Sequence, residues 1–298
     1  MTGSRDDAPP PKAGATDSPP LSSVVYAFAI TGFFFLVELI GGWWVGSLAL
    51  IADAMHMAVD LLGLGMTLGA AMVSRLPPDS KRTFGYKRVE VLAALGNGVG
   101  LWVVTGIILR EAYARFIFPT PVAAPQMMII AAVGLTANIA CGLLLYRGSK
   151  SNINLRGAFL HVATDAMGSA GAILAAWIMM RTHWYQADPA VSVLICCGII
   201  VTSFWLLRDS VHILLEGAPA HLDIEEIRTA LAALSGVREV HDLHLWSLTQ
   251  GSESMSGHVV LEDGRDPHAL LDQAQKMLEE RFGLSHVTLQ IEKSAHPQ

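Results

Sequence analysis

The chain has 298 residues, 52% of them hydrophobic and only 15% charged, with a mean hydropathy of +0.44. That balance excludes an ordinary soluble domain and calls for several membrane spans. The net charge of −6 gives no basic surface of the kind nucleic acid selects, and no nucleic-acid partner is expected.

Residues 1–20 are rich in Pro, Asp, Ser and Gly without an apolar run, which predicts a disordered cytoplasmic tail and not a cleaved signal. Six apolar runs follow: Leu21–Trp44, Leu48–Val73, Val89–Leu109, Met127–Tyr146, Ala158–Met180 and Ala190–Leu207. Each is close to the ~20 residues that carry a helix across a bilayer core. They define a six-helix transmembrane domain over 21–210. Basic residues cluster after the second run (Arg75, Lys81, Arg82, Lys87, Arg88) and the fourth (Arg147, Lys150, Arg156). The opposite side has only Arg110 and Arg115 after the third run and Arg181 after the fifth. The positive-inside rule then puts both termini in the cytoplasm of a multi-pass membrane protein, expected in a bacterial inner membrane. The three cysteines, Cys141, Cys196 and Cys197, all fall in apolar runs and suggest neither a disulfide framework nor a thiolate site.

Residues 211–298 form the second predicted domain, cytoplasmic and soluble in character, with the shift in composition centred near Pro219. Asp223–Leu234 carries Ile224, Ile227, Leu231 and Leu234 at helical spacing. Val237–Leu248 and Met255–Glu262 read as strands joined around Gln250-Gly251-Ser252. Pro267 opens a helix that Gly283 stops, and Ser285–Ile291 supplies a last strand. The fold class is an α-helical membrane protein with six transmembrane helices followed by a small α+β domain of order αββαβ. So small a core favours packing against a second copy.

Two of the membrane runs carry the same pair: His56-x-x-x-Asp60 and His161-x-x-x-Asp165, 105 residues apart. Spacing of i, i+4 puts both side chains of each pair on one helix face. Ionisable groups at membrane depth are costly and mark ion or proton paths by default. Two imidazoles and two carboxylates make a four-ligand N/O set suited to Zn²⁺, and the flanking small residues let the two helices approach. Helix glue through interhelical hydrogen bonds is the bland alternative, weakened by the duplication. Asp53 shares the face of His56 and Asp60 but has Ala158 as its counterpart. It is either a carboxylate behind the ligands or on the access path, or a structural hydrogen-bond partner. Glu38 and Asn138 are further buried polar candidates. An intramembrane zinc hydrolase would need an activated water and a His-Glu-x-x-His run, which does not occur. No enzyme and no cofactor are therefore expected. A channel would want several weak sites along a pore.

The six runs, the two His-x-x-x-Asp pairs, Gly46-Ser-Leu-Ala-Leu-Ile-Ala-Asp-Ala-Met-His56, Phe84-Gly-Tyr-Lys-Arg-Val-Glu90 and His241-Asp-Leu-His-Leu-Trp246 together resemble the cation diffusion facilitators, in their zinc-transporting branch. The resemblance runs from about Leu21 to Glu292. It implies His56, Asp60, His161 and Asp165 as transport ligands, exchange of cytoplasmic Zn²⁺ for protons (Cd²⁺ or Co²⁺ less predictably), a homodimer in the lipid bilayer and a metallochaperone-like cytoplasmic domain. Relatives often bind metal in that domain. Here His241 and His258 match the first two positions, Glu292 an acidic one, and His286 lies near the fourth, with Gln290 a poor substitute. Ordinary surface histidines on a dimerising domain remain the alternative. By strand alternation His244 and Trp246 face away from His241, towards core or interface. The chain lacks the His-rich loop of many relatives between Arg147 and Arg156, and its loop after the second run offers only Asp79 as a ligand.

Overall fold

The computed structural model describes residues 21–149 and 153–293, the side chains of 21–31, 144, 145, 147–149, 153–158, 160 and 161 excepted. The tail 1–20, Lys150 and His296 lie outside that range. Six long helices come first: α1 (Leu21–Val45), α2 (Leu48–Ser74), α3 (Arg88–Ile117), α4 (Ala124–Ser149), α5 (Ile153–Thr182) and α6 (Ala187–Leu214). Among the described residues, α2 to α6 are long and apolar enough to cross a membrane, and Gly32–Val45 of α1 forms a shorter apolar stretch. Large apolar side chains such as Trp43, Ile107, Leu143 and Leu194 point outward, as lipid-facing residues do.

α2 occupies the centre, packing on α1, α3, α5 and α6, while α4 pairs with α5 and α3 with α6. Alanines make these approaches close. Ala172, Ala175, Ala176 and Met179 form an i, i+3, i+4, i+7 stripe on α5, buried against Ala49, Leu50, Met127 and Ala131.

The membrane helices are longer than their apolar runs. α3 continues eight residues past Leu109, so Arg110 and Arg115 sit on helix and not in a loop. Arg115 makes this tolerable: its guanidinium pairs with Glu111 one turn back at 3.0 Å and donates to the Gly46 carbonyl at 2.6 Å. α6 runs to Leu214, beyond the division drawn at 210.

The tight α1–α2 turn uses Gly46 at φ +76°, a left-handed conformation that suits glycine. Ser47 then caps α2, accepting from the Leu50 N–H. Asp188, fully buried near the start of α6, completes the junction. Its carboxylate accepts from Ser47 Oγ at 2.6 Å, from Leu48 N at 2.6 Å and from Ala49 N at 3.2 Å, with Arg115 Nη1 3.9 Å away. A buried carboxylate is thereby matched by a helix N-terminus and a guanidinium.

The second region follows αββαβ order: α7 (Ile224–Ala232), β1 (Val237–Thr249), β2 (Ser252–Leu261), α8 (Pro267–Phe282) and β3 (His286–Glu292). β1 and β2 are antiparallel; β2 and β3 are parallel and joined through α8. Asp223 and Asp266 cap the two helices, and Gly283 at φ +70° ends α8. Ile227, Leu231, Ala274 and Leu278 cover one sheet face, which presents Val240, Leu245 and Met255. The regions meet through Glu90, whose carboxylate accepts from Ser74 of α2 and from Thr249 of β1, and through Lys87–Ser252 at 2.8 Å and Arg88–Glu216 at 3.0 Å.

Replacing Asp188 with Ala strands Ser47 Oγ, two N–H groups and part of Arg115. We expect a loss of about 2–4 kcal/mol of stability, read as a lowered melting temperature in lipid nanodiscs. Unchanged melting would mean that the junction contributes nothing.

Candidate metal centre

His56 and Asp60 come together one turn apart on α2, with Nε2 3.4 Å from Oδ2. Both are partly buried. Asp165 lies on α5, which packs on α2, and its carboxylate acts electrostatically on Asp53 and Glu38. His161 is on the same helix one turn before Asp165; its side chain is outside the described set. Asp53 is 5% exposed and sits about 4.5 Å further along α2 from His56, towards the α1–α2 turn. Its two oxygens lie 3.3 Å from the place a Cβ would take at Gly168, so α5 narrows there to admit them. Asn138 instead lines a shallow apolar groove between α4 and α5 with Tyr146 and Phe159.

In the α/β region, strand register decides which residues meet. His241 pairs with His258, and His258 with Gln290, while Val260 pairs with Glu292. The His241 and His258 rings stand edge to face at 5.3 Å. Glu292, 6% exposed, lies 3.5 Å from His241 Nε2 and 3.1 Å from His258 Nδ1, with Gln290 donating to it at 2.7 Å. One ligand atom from each of His241, His258 and Glu292 falls within 4.8 Å of the others. Both ring nitrogens of His241 are buried and make no hydrogen bond. Orphaned imidazole nitrogens beside a buried carboxylate are the chemistry that a Zn²⁺ ion completes.

Two expectations change here. His286 is not brought to this group. It begins β3 opposite Ser254, four residues from Gln290 and so roughly 13 Å along the strand, and its ring stacks edge-on to Phe84 at 5.5 Å. His244 is not turned away from His241 and is not core. A bulge sets three steps on β1, His241 to His244, against two on β2, His258 to Ser256. The extra residue restores His244 to the same face, where it is exposed and 2.8 Å from Asp242. Trp246, opposite Ser254, follows it.

The bulge also reveals a residue that the sequence reading missed. Asp242 adopts φ +50°, a conformation aspartate tolerates better than most, and its carboxylate stands 3.7 Å from His258 Nε2. Its place beside His241 was the available signal. Asp79, in the α2–α3 loop, is engaged elsewhere: it accepts from Tyr86 Oη and from the Lys81 and Arg82 N–H groups, all at 2.7 Å. The Tyr86 hydroxyl, then those amides, hold its carboxyl below the usual range.

A bundle of long apolar helices with a His–Asp pair on its central helix, joined to a small α/β region with a group of side chains that could hold a metal, has the architecture of a membrane cation carrier. Residues 24–215 match the cation efflux transmembrane domain, and 219–294 the cytoplasmic domain of cation efflux proteins. The chain belongs to the cation efflux family, the cation diffusion facilitators. It is 44% identical to the zinc transporter ZitB of Escherichia coli, over 90% of this chain and 86% of that protein. It is 40% identical to the cation efflux system protein CzcD of an Alcaligenes strain, over 91% and 86%. The metal-bound C-terminal domain of the CzcD transporter of Cupriavidus metallidurans is 38% identical, covering 24% of this chain and 99% of that domain, with a TM-score of 0.23.

A metal held by His241, His258 and Glu292 would stabilise the folded domain by mass action. We expect Zn²⁺ to raise its melting temperature, His258→Ala or Glu292→Gln to remove that rise, and His286→Ala to leave it intact. Loss of the rise with His286→Ala would return that residue to the group.

Proposed function

We propose that this protein exports Zn²⁺, and with less preference Cd²⁺ and Co²⁺, from the cytoplasm in exchange for protons. The transport ligands are His56 and Asp60 of α2 with His161 and Asp165 of α5. The observation that carries the reading is the His56–Asp60 approach on the central helix, matched by the same spacing on a helix packed against it. The printed functions of relatives support the choice of cargo. They include ZitB, a zinc transporter, and a Bacillus subtilis protein described as a cadmium, cobalt and zinc/H⁺–K⁺ antiporter, 38% identical over 90% of this chain.

Coupling follows from ligand chemistry. A metal-bound imidazole must be neutral and a carboxylate ionised, so protons and Zn²⁺ compete for the same four residues. Facing a more alkaline cytoplasm, the set loses protons and takes metal; facing a more acidic exterior, it takes protons and releases metal. No separate relay is needed. Mg²⁺ and Ca²⁺ prefer higher-coordinate all-oxygen sites and are rejected.

The cytoplasmic region makes the working unit a homodimer, with both termini on that side of a bacterial inner membrane. The basic residues of the α2–α3 loop support this orientation. His241, His258 and Glu292 hold a metal there, with Asp242 able to reach it through His258.

Proteoliposomes loaded to impose a pH gradient test the scheme. Zn²⁺ flux should follow the gradient and fall at least about tenfold in Asp60→Ala and His161→Ala, since losing even a hydrogen-bond partner of a ligand costs about that much. Flux that survives both substitutions, or that ignores the gradient, would sink the four-ligand antiport.

A further inference from the structure

Glu38 on α1, Asp53 on α2 and Ser169 on α5 are 3%, 5% and 1% exposed, in a bundle where such groups are expensive. Glu38 Oε2 and Ser169 Oγ are both buried, and neither has a hydrogen-bond partner among the described residues. Their surroundings are cut to fit them. A Cβ at Gly134 of α4 would stand 2.7 Å from Glu38 Oε1 and 3.3 Å from Ser169 Oγ. A Cβ at Gly168, next to Ser169, would stand 3.3 Å from both oxygens of Asp53. Two glycines on two helices thus leave room for two carboxylates and a hydroxyl. The titratable groups that act on Asp53 are two further carboxyls, Glu38 and Asp165. The group lies beyond His56 on the side of the α1–α2 turn, the end of the bundle remote from the α/β region.

We propose that Glu38, Asp53 and Ser169, with Asp165 shared, form a second cation site that receives the divalent transition metal as it leaves the four-ligand set. The inference rests on the transport reading above. Carboxylate and hydroxyl oxygens hold Zn²⁺ more weakly than a set containing two imidazoles. A weaker all-oxygen site beyond a stronger mixed one gives the ion a step down in affinity on its way out, and binding loose enough to leave is what sustains flux. Asp165, on α5 between the two groups, lets the ion change ligands without becoming bare in the low-dielectric interior.

The test uses the full chain in proteoliposomes, with Zn²⁺ and Cd²⁺ as separate cargoes and Asp60→Ala as reference. Glu38→Gln should lower maximal Zn²⁺ turnover about tenfold with KM nearly unchanged, the signature of a step after binding, and Glu38→Asp should restore most of it. Ser169→Cys is nearly isosteric and places a soft donor at the site. It should slow Cd²⁺ turnover at least about fivefold more than Zn²⁺ turnover, and Cd²⁺ added to it should give a thiolate-to-metal ultraviolet band absent from the wild type. A Ser169→Cys protein that melts like wild type, treats both metals alike and shows no such band would overturn the second site and leave Asp165 with its transport role alone. Equal loss in Glu38→Gln and Glu38→Asp would assign Glu38 to packing and also count against it. Undiminished flux in Asp60→Ala would instead overturn the transport reading itself.

Discussion

A carboxylate inside a membrane bundle is costly unless it is matched, and α2 is built around that constraint. Its N-terminus is held by Asp188, whose charge is met by Ser47, two backbone N–H groups and the approach of Arg115. Its next turns carry Asp53, then His56 and Asp60, and its last residue, Ser74, donates to Glu90. One helix therefore connects an anchored outer junction, the proposed transport ligands and the contact with the cytoplasmic region. The neighbours of α2 are arranged to serve its polar face: glycines and alanines of α4 and α5 supply space, and α3 and α6 supply the countercharge at the end.

Two neighbouring parts of that helix are treated differently. At the α1–α2 turn a buried acid is satisfied completely, and nothing there is free to exchange a ligand. Further along, Glu38 and Ser169 keep buried oxygens without hydrogen bonds. A fully paired carboxylate fixes structure; an incompletely paired one near other carboxylates stores demand for a cation. Asp188 is fully paired at the α1–α2 turn, and the carboxylates of the proposed path, Asp53 and Asp165, lie further into the bundle.

Much of this was legible in the sequence. The six apolar runs, the αββαβ order and the helical pairing of His56 with Asp60 follow from periodicities that lipid and a small core impose on any chain. What escaped was set by tertiary detail. A single bulge at Asp242 reversed the facing of His244, because strand alternation counts residues and cannot see an extra one. The parallel register of β3 put Glu292 near His241 and His258 but carried His286 away to Phe84; sequence distance could not choose between them. α3 outran its apolar run because Arg115 found the carboxylate of Glu111 one turn back and a carbonyl 69 residues earlier in the chain. Asp188 went unremarked for the same reason: its ligands are 139 to 141 residues earlier.

The donor types themselves carry a last constraint. A transport site must release what it binds, and a thiolate set would hold Zn²⁺ or Cd²⁺ too firmly for quick exchange with protons. Imidazole changes charge nearer to physiological pH than a thiol does, and imidazole and carboxylate ligate these ions less tightly than thiolate. Cys196 is fully buried among Leu48, Ala52, Ile108 and Ala112, where it serves as a small apolar side chain. A proposed ligand set of imidazoles and carboxylates, with no thiolate among them, would let a carrier bind a transition metal at membrane depth without trapping it.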